Sequence, residues 1–209
     1  MKKINIIYLL PEMKGASGGA KVIYNHSLKL NKLKKNISSS VIHLKKKFSY
    51  KIETSLSKKF NIFNEQYSGW NPNKMRVSKS FSPSKNWFNK NINLKKKFLL
   101  DKKTDFLIIP EIWAHFSEDL NLKKKGINYG IFIQGFYHMN STSNFKKLKS
   151  AYNNAKIILI SSDYNIKCFK EMFPEFKNKI LRMNFSINSK KLRISKKSNT
   201  ITYMPRKLP

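Results

Sequence analysis

At 209 residues the chain can form one sizeable α/β domain but is short for two full ones, and its 40% hydrophobic content is enough for a core. Cys168 is the only cysteine, which excludes an intrachain disulfide and fits a reducing compartment. The formal net charge of +32, from 43 Lys and Arg against 11 Asp and Glu, points to an anionic partner, either nucleic acid or a charged membrane face.

Met1-Lys2-Lys3 and the apolar run 4–10 imitate a secretion leader. Pro11 and Glu12 cut the run short, and no small-residue cleavage site follows. The run instead predicts a central strand buried on both faces. Gly15-Ala16-Ser17-Gly18-Gly19 then breaks regular structure. Val22, Ile23, His26, Leu30 and Leu33 follow at helical spacing, with Lys29, Lys32, Lys34 and Lys35 opposite. Residues 39–44 read as a second strand. A strand, a glycine loop, a helix and a strand in that order imply a parallel sheet.

Residues 45–100 carry less pattern. A third strand is expected at 56–63, and 67–88 reads as an irregular excursion with short pieces of strand or helix. Strands are predicted at 105–110, 129–133, 156–160 and 179–183, and helices at 145–152 and from Asp163 to Phe173. Ser161-Ser162-Asp163 supplies the cap of the second helix. Residues 188–199 are polar, basic and unpatterned, as a linker is. A last strand is expected at 201–204. The domain division is therefore 1–187 for a Rossmann-like parallel sheet flanked by helices, 188–199 for the linker, and 200–209 for the first strand of a further domain.

In an open parallel sheet, ligands bind beyond the carboxyl ends of the strands. Gly18 and Gly19 sit at such an end, where glycine lets a backbone approach a ligand and a helix begins. The loop lacks the spacing of a dinucleotide fingerprint and the Gly-Lys-Ser/Thr of a P-loop. Glu111 follows the strand at 105–110, where a carboxylate can orient a hydroxyl or act as a base. Gln134-Gly135-Phe136-Tyr137-His138 follows another, and it brings an amide, aromatic faces and an imidazole. Each feature also has a plain structural reading: a tight turn, a solvent-facing acid, a surface histidine. His26, His43, His115 and His138 are dispersed and lack metal-ligand spacing, and His26 reads as a core histidine.

Taken in order, these landmarks resemble the N-terminal, acceptor-side domain of bacterial GT-B glycosyltransferases. The resemblance rests on Gly18-Gly19 opening an amphipathic helix, on Pro110-Glu111-Ile112, on Ile131-Phe132-Ile133-Gln134 with Tyr137, and on Ile201-Thr202-Tyr203-Met204-Pro205-Arg206-Lys207. The family's Gly-His after the first helix is replaced by Lys35-Asn36. The resemblance implies glycosyl transfer from a nucleotide-sugar to a surface-glycan or lipid-linked acceptor, with the nucleotide-sugar as co-substrate and no other cofactor or metal. It implies acceptor-side contacts at Gly18, Gly19, Gln134 and Tyr137. Glu111 and His138 are its candidate catalytic groups, with Glu12 a further candidate base. Arg206 and Lys207 would meet the donor diphosphate. The remainder of the donor domain lies outside this sequence, so the chain by itself is expected to be inactive. The lone cysteine and the interrupted leader-like run point to a cytoplasmic place, with the inner membrane face as a surface on which the protein could rest.

The competing reading is a basic Rossmann-like protein that binds nucleic acid or an anionic membrane without catalysis. Arginine, the fork that matches phosphate and base edges, occurs only at Arg76, Arg182, Arg193 and Arg206. That scarcity argues against specific nucleic-acid recognition. With the many Asn, Ile, Phe and Tyr residues, it reads as drift toward AT-rich codons with a weak benefit at membrane surfaces. Lysines gathered on one face among aromatic residues would favour a nucleic-acid partner, and an even scatter would not.

Overall fold

A computed structural model describes residues 3–13, 15–33, 36–46, 75–135 and 144–184. The strand expected at 56–63, the linker 188–199 and the strand expected at 201–204 lie outside the described residues.

The architecture is an α/β sheet of seven strands in the order β3-β2-β1-β4-β5-β6-β7. β1 (Ile4–Pro11) pairs in parallel with both β2 (Ile37–Lys46) and β4 (Asp105–Pro110). β5 (Asn128–Ile133), β6 (Ile157–Ile160) and β7 (Ile180–Arg182) extend the sheet, each parallel to its neighbour. The Rossmann-like parallel sheet expected is there, and the short β3 (Met75–Val77) closes its other edge antiparallel to β2. It comes from the stretch where the sequence shows least periodicity.

The apolar run of β1 is central because it is needed on both faces. Ile7 and Leu9 point into one core and Tyr8 and Leu10 into the other, and all of them are buried. Burial of each such side chain stabilises the fold by roughly 1.5–3 kcal/mol. Helix α1 (Gly18–Leu33) covers the face of Tyr8, Val41 and Phe132 through Ala20, Ile23 and Tyr24. A one-turn helix α2 (Pro83–Asn86) brings Trp87 and Phe88 to the same side. The opposite face is covered by the one-turn helix α3 (Phe116–Asp119), by α4 (Phe145–Asn154) and by α5 (Asp163–Met172), through Phe116, Leu148, Tyr152 and Phe169.

Helix starts follow local chemistry. The Asn144 side chain accepts from Lys147 N at the start of α4, and Ser162 Oγ accepts from Asn165 N at the start of α5. The cap expected at Ser161-Ser162-Asp163 is thus made by Ser162. One glycine is fixed by sheet packing: a Cβ on Gly130 would stand 2.6 Å from Ile157 Cγ2 and 3.1 Å from Ile157 O.

Candidate functional site

β1 leads through α1 to β2 on one side of it, whereas β4 begins the half of the sheet that continues to β7 on the other side. The chain therefore reverses direction across the sheet between β1 and β4. At such a switch point the loops beyond the strands diverge and leave a crevice. Gly15 to Gly19 follow β1, Glu111 follows β4, and Gln134 and Gly135 follow β5.

These loops are tied together by hydrogen bonds. Gln134 Nε2 donates to Gly19 O at 3.3 Å, joining the strand-β5 loop to the first turn of α1. Gly135 N donates to Glu111 Oε1 at 3.1 Å. Asn165 Nδ2, from the first turn of α5, donates to Gln134 O at 3.4 Å. Gly19, Glu111 and Gln134, expected to share one edge, do so. Tyr137, His138, Arg206 and Lys207 lie outside the described residues.

The two glycines of the loop differ. A Cβ on Gly19 would lie 2.7 Å from Gln134 Oε1, so any larger residue there would push the Gln134 side-chain end away. Around Gly18 the described residues leave open space for a Cβ. Packing therefore gives a reason for glycine at 19 and none at 18.

Glu111 is not a solvent-facing acid. After β4 the chain turns at once into a 3-10 turn, Glu111–Trp113, which draws the carboxyl inward until Glu111 is only 5% exposed. Burial pushes its pKa up to about 7, and the backbone N–H groups of Glu111, Gln134 and Gly135 only partly offset this. The carboxyl sits beneath the loop and is poised to hold or release a proton near neutrality. The Tyr152 hydroxyl is held protonated by burial and, secondarily, by the Glu111 charge.

Sequence reasoning missed the groups that brace the β1 end of the crevice. His43 lies on β2, buried beneath α1. Its Nδ1 donates to Pro11 O at 3.2 Å, and its Nε2 accepts from Tyr24 Oη at 3.2 Å. Burial lowers its pKa to about 4, despite the opposing effect of the Pro11 carbonyl, so it is neutral at pH 7. Trp87 Nε1 donates to Met13 O at 3.0 Å. Trp87 falls in the unpatterned stretch, so periodicity gives it no signal. His43 could have been suspected, because it interrupts an apolar strand face. His26, read as a core histidine, is half-buried, and its Nδ1 bonds Tyr8 Oη at 2.5 Å.

Two cavities, of about 500 and 310 Å3, open at the other end of the strands. Size alone would favour the first as a ligand site. Its polar lining is largely committed internally. Asn5 Nδ2 donates to Asp105 Oδ1 at 3.0 Å, Lys95 pairs with Asp105 Oδ2 at 3.0 Å, and Ser38 Oγ donates to Asn5 Oδ1 at 3.3 Å. The carboxyl edge is the stronger candidate, because groups that follow separate strands meet there.

Among the described residues no cluster of His, Cys, Asp or Glu could hold a metal ion, and no helix is long and apolar enough to cross a membrane. A scan against protein-family models found no match, and a search of curated proteins found none either.

Proposed function

We propose that this domain forms the acceptor-side wall of a GT-B glycosyltransferase, with the crevice beyond β1, β4 and β5 as its sugar-binding surface. The observation that carries the reading is the meeting of Gly19, Gln134, Gly135 and Glu111 at the switch point of the sheet. Gly18 leaves backbone exposed to a hydroxyl or a phosphate, and Gln134 supplies an amide with both donor and acceptor atoms. In this proposal Glu111 holds Gly135, just ahead in sequence of Tyr137 and His138, which are assigned to the acceptor. His138 is then the base that meets an acceptor hydroxyl. Arg206 and Lys207 are assigned to the donor diphosphate, where cations offset leaving-group charge.

The reaction class needs two walls, and the described residues form one. The test is calorimetry of the 209-residue chain against a panel of nucleotide-sugars and oligosaccharides at low and high salt, with a turnover assay alongside. Saccharide binding that persists at high salt and is weakened by Gly18→Val, with no turnover, is the expected result. Tight, salt-resistant nucleotide-sugar binding would move the donor site onto this domain and overturn the division. Absence of any saccharide binding would remove the reading.

A further inference from the structure

In a parallel sheet, residues that precede strands share one edge. Here that edge is strongly basic. The segment before β4 carries Lys95, Lys96, Lys97, Lys102 and Lys103, and the segment before β5 carries Lys123, Lys124 and Lys125. Lys3 precedes β1 and Lys156 precedes β6. The Lys102 side chain lies 3.7 Å from where a Cβ on Gly126 would stand, and Lys102 and Lys125 line one cavity, so the two richest segments are neighbours. Asp101 is the only acid in these two segments, and Asp105 opens β4 beside it. Asp105 is paired with Lys95, and Asp101 accepts from Lys103 N and Thr104 Oγ1. Neither carboxylate turns to the lysines at 96, 97 or 123–125 in any of these contacts.

Apolar surface lies among the charges. Leu99 is 67% exposed, although it sits between two lysine clusters. Beside it the cavity of about 310 Å3 is walled by Phe98, Leu100, Leu122 and Ile127, with Lys102 and Lys125 also lining it. Among the described residues the exposed large aromatic residues, Phe145 and Tyr164, stand instead at the starts of α4 and α5.

We propose that this amino edge docks the protein on an anionic lipid bilayer, with the lysines against headgroup phosphates and Leu99 inserted between headgroups. Lysine suits such a surface because it is a point charge that needs no fixed phosphate geometry. Lasting attachment takes two signals, and this edge combines a polybasic patch with an apolar residue. A nucleic acid fits less well. Arginine is absent from both segments, and among the described residues the aromatic ring between these lysines, Phe98, is half-buried in the cavity wall rather than standing free for a base to stack on.

The experiment is co-sedimentation of the 209-residue chain with vesicles of phosphatidylcholine alone or with anionic phosphatidylglycerol, at physiological salt. Single-stranded RNA binding is measured in parallel. One variant replaces Lys96, Lys97, Lys123 and Lys124 with Gln. A control replaces Lys79, Lys85, Lys146 and Lys167, which are equally exposed but lie elsewhere. Each lysine near such a surface is worth about a fivefold change in partitioning, so the edge variant should bind anionic vesicles at least about tenfold more weakly. The control should lose markedly less. Leu99→Ser should remove most of the binding that survives raised salt. No sedimentation with anionic vesicles overturns the proposal, as does equal loss in both variants. Loss of RNA binding with vesicle binding intact would give the edge to a nucleic acid and overturn it too. Circular dichroism checks that every variant is folded.

Discussion

The two edges of the sheet are built from opposite materials. At the carboxyl edge a carboxyl, an amide and a histidine are drawn inward and hydrogen-bonded to loop backbone: Glu111 to Gly135, Gln134 to Gly19, His43 to Pro11. At the amino edge, beside the internally paired Asn5, Asp105 and Lys95, the polar groups are mostly lysines left in water around an exposed Leu99. A buried polar group fixes geometry because losing its partner costs its full desolvation. An exposed charge fixes nothing locally, but it adds to a field that reaches about 8 Å at physiological salt. The two proposals follow this contrast: a small ligand held in a defined pose at one edge, and an extended surface met by the other.

The sharpest way to break this contrast is at Glu111. Glu111→Ala leaves a buried gap and an unpartnered Gly135 N–H, and urea unfolding at pH 6 should show a loss of about 3 kcal/mol. A loss below about 0.5 kcal/mol would mean that the carboxyl does not brace the loop.

The pH dependence of stability comes next. Glu111 is raised to about 7 from 4.5, so the folded chain keeps a proton that the unfolded chain releases. That contribution is complete below pH 4.5 and is lost as pH rises through 7. His43 is lowered to about 4 from 6.5, so the unfolded chain takes up a proton first. Its contribution is complete above pH 6.5 and is lost as pH falls toward 4. Each is worth about 1.4 kcal/mol for every pH unit of displacement, and over pH 4.5–6.5 the two oppose one another. The unmodified chain should therefore show a shallow profile there. Glu111→Gln should leave a profile rising with pH, and His43→Gln one falling with pH. Thermal melts across this range check both slopes.

A smaller effect separates the neighbouring glycines. Gly19→Ala forces Gln134 Oε1 away from its 2.7 Å position and should cost about 1 kcal/mol or less, since a flexible side-chain end yields. Gly18→Ala meets open space and should be neutral or slightly stabilising. The Gln134 side-chain amide resonances should shift in the first variant and not in the second. Smallest of all, the four amino-edge substitutions at Lys96, Lys97, Lys123 and Lys124 should change unfolding free energy by no more than about 0.5 kcal/mol.

What the sequence made legible was whatever depends on local pattern. The run of β1, the glycines and the periodicity of α1 fix a parallel unit, and the strands ending at Pro110 and Ile133 place Glu111 and Gln134 on one edge. Burial of Glu111 was not legible, because it depends on the tight turn at Glu111–Trp113, which no periodicity signals. Trp87 was opaque for another reason: its partner, Met13, is 74 residues away, and a contact of that separation leaves no trace in spacing. Nor did the lysine count disclose its distribution. Lys95–97, Lys102–103 and Lys123–125 look scattered along the chain and gather only when the register of β4 with β5 brings the two loops together.

The eight residues of β1 run from one edge to the other, a rise of roughly 26 Å at strand spacing. On a bilayer contacted by the amino edge, the sheet becomes a standoff, lifting the crevice about one strand length clear of the headgroups. If the carboxyl edge takes a glycosyl acceptor, as proposed, an acceptor buried to its reducing end in lipid would fall short of that height, and a glycan chain several residues long, growing outward from the surface, would span it.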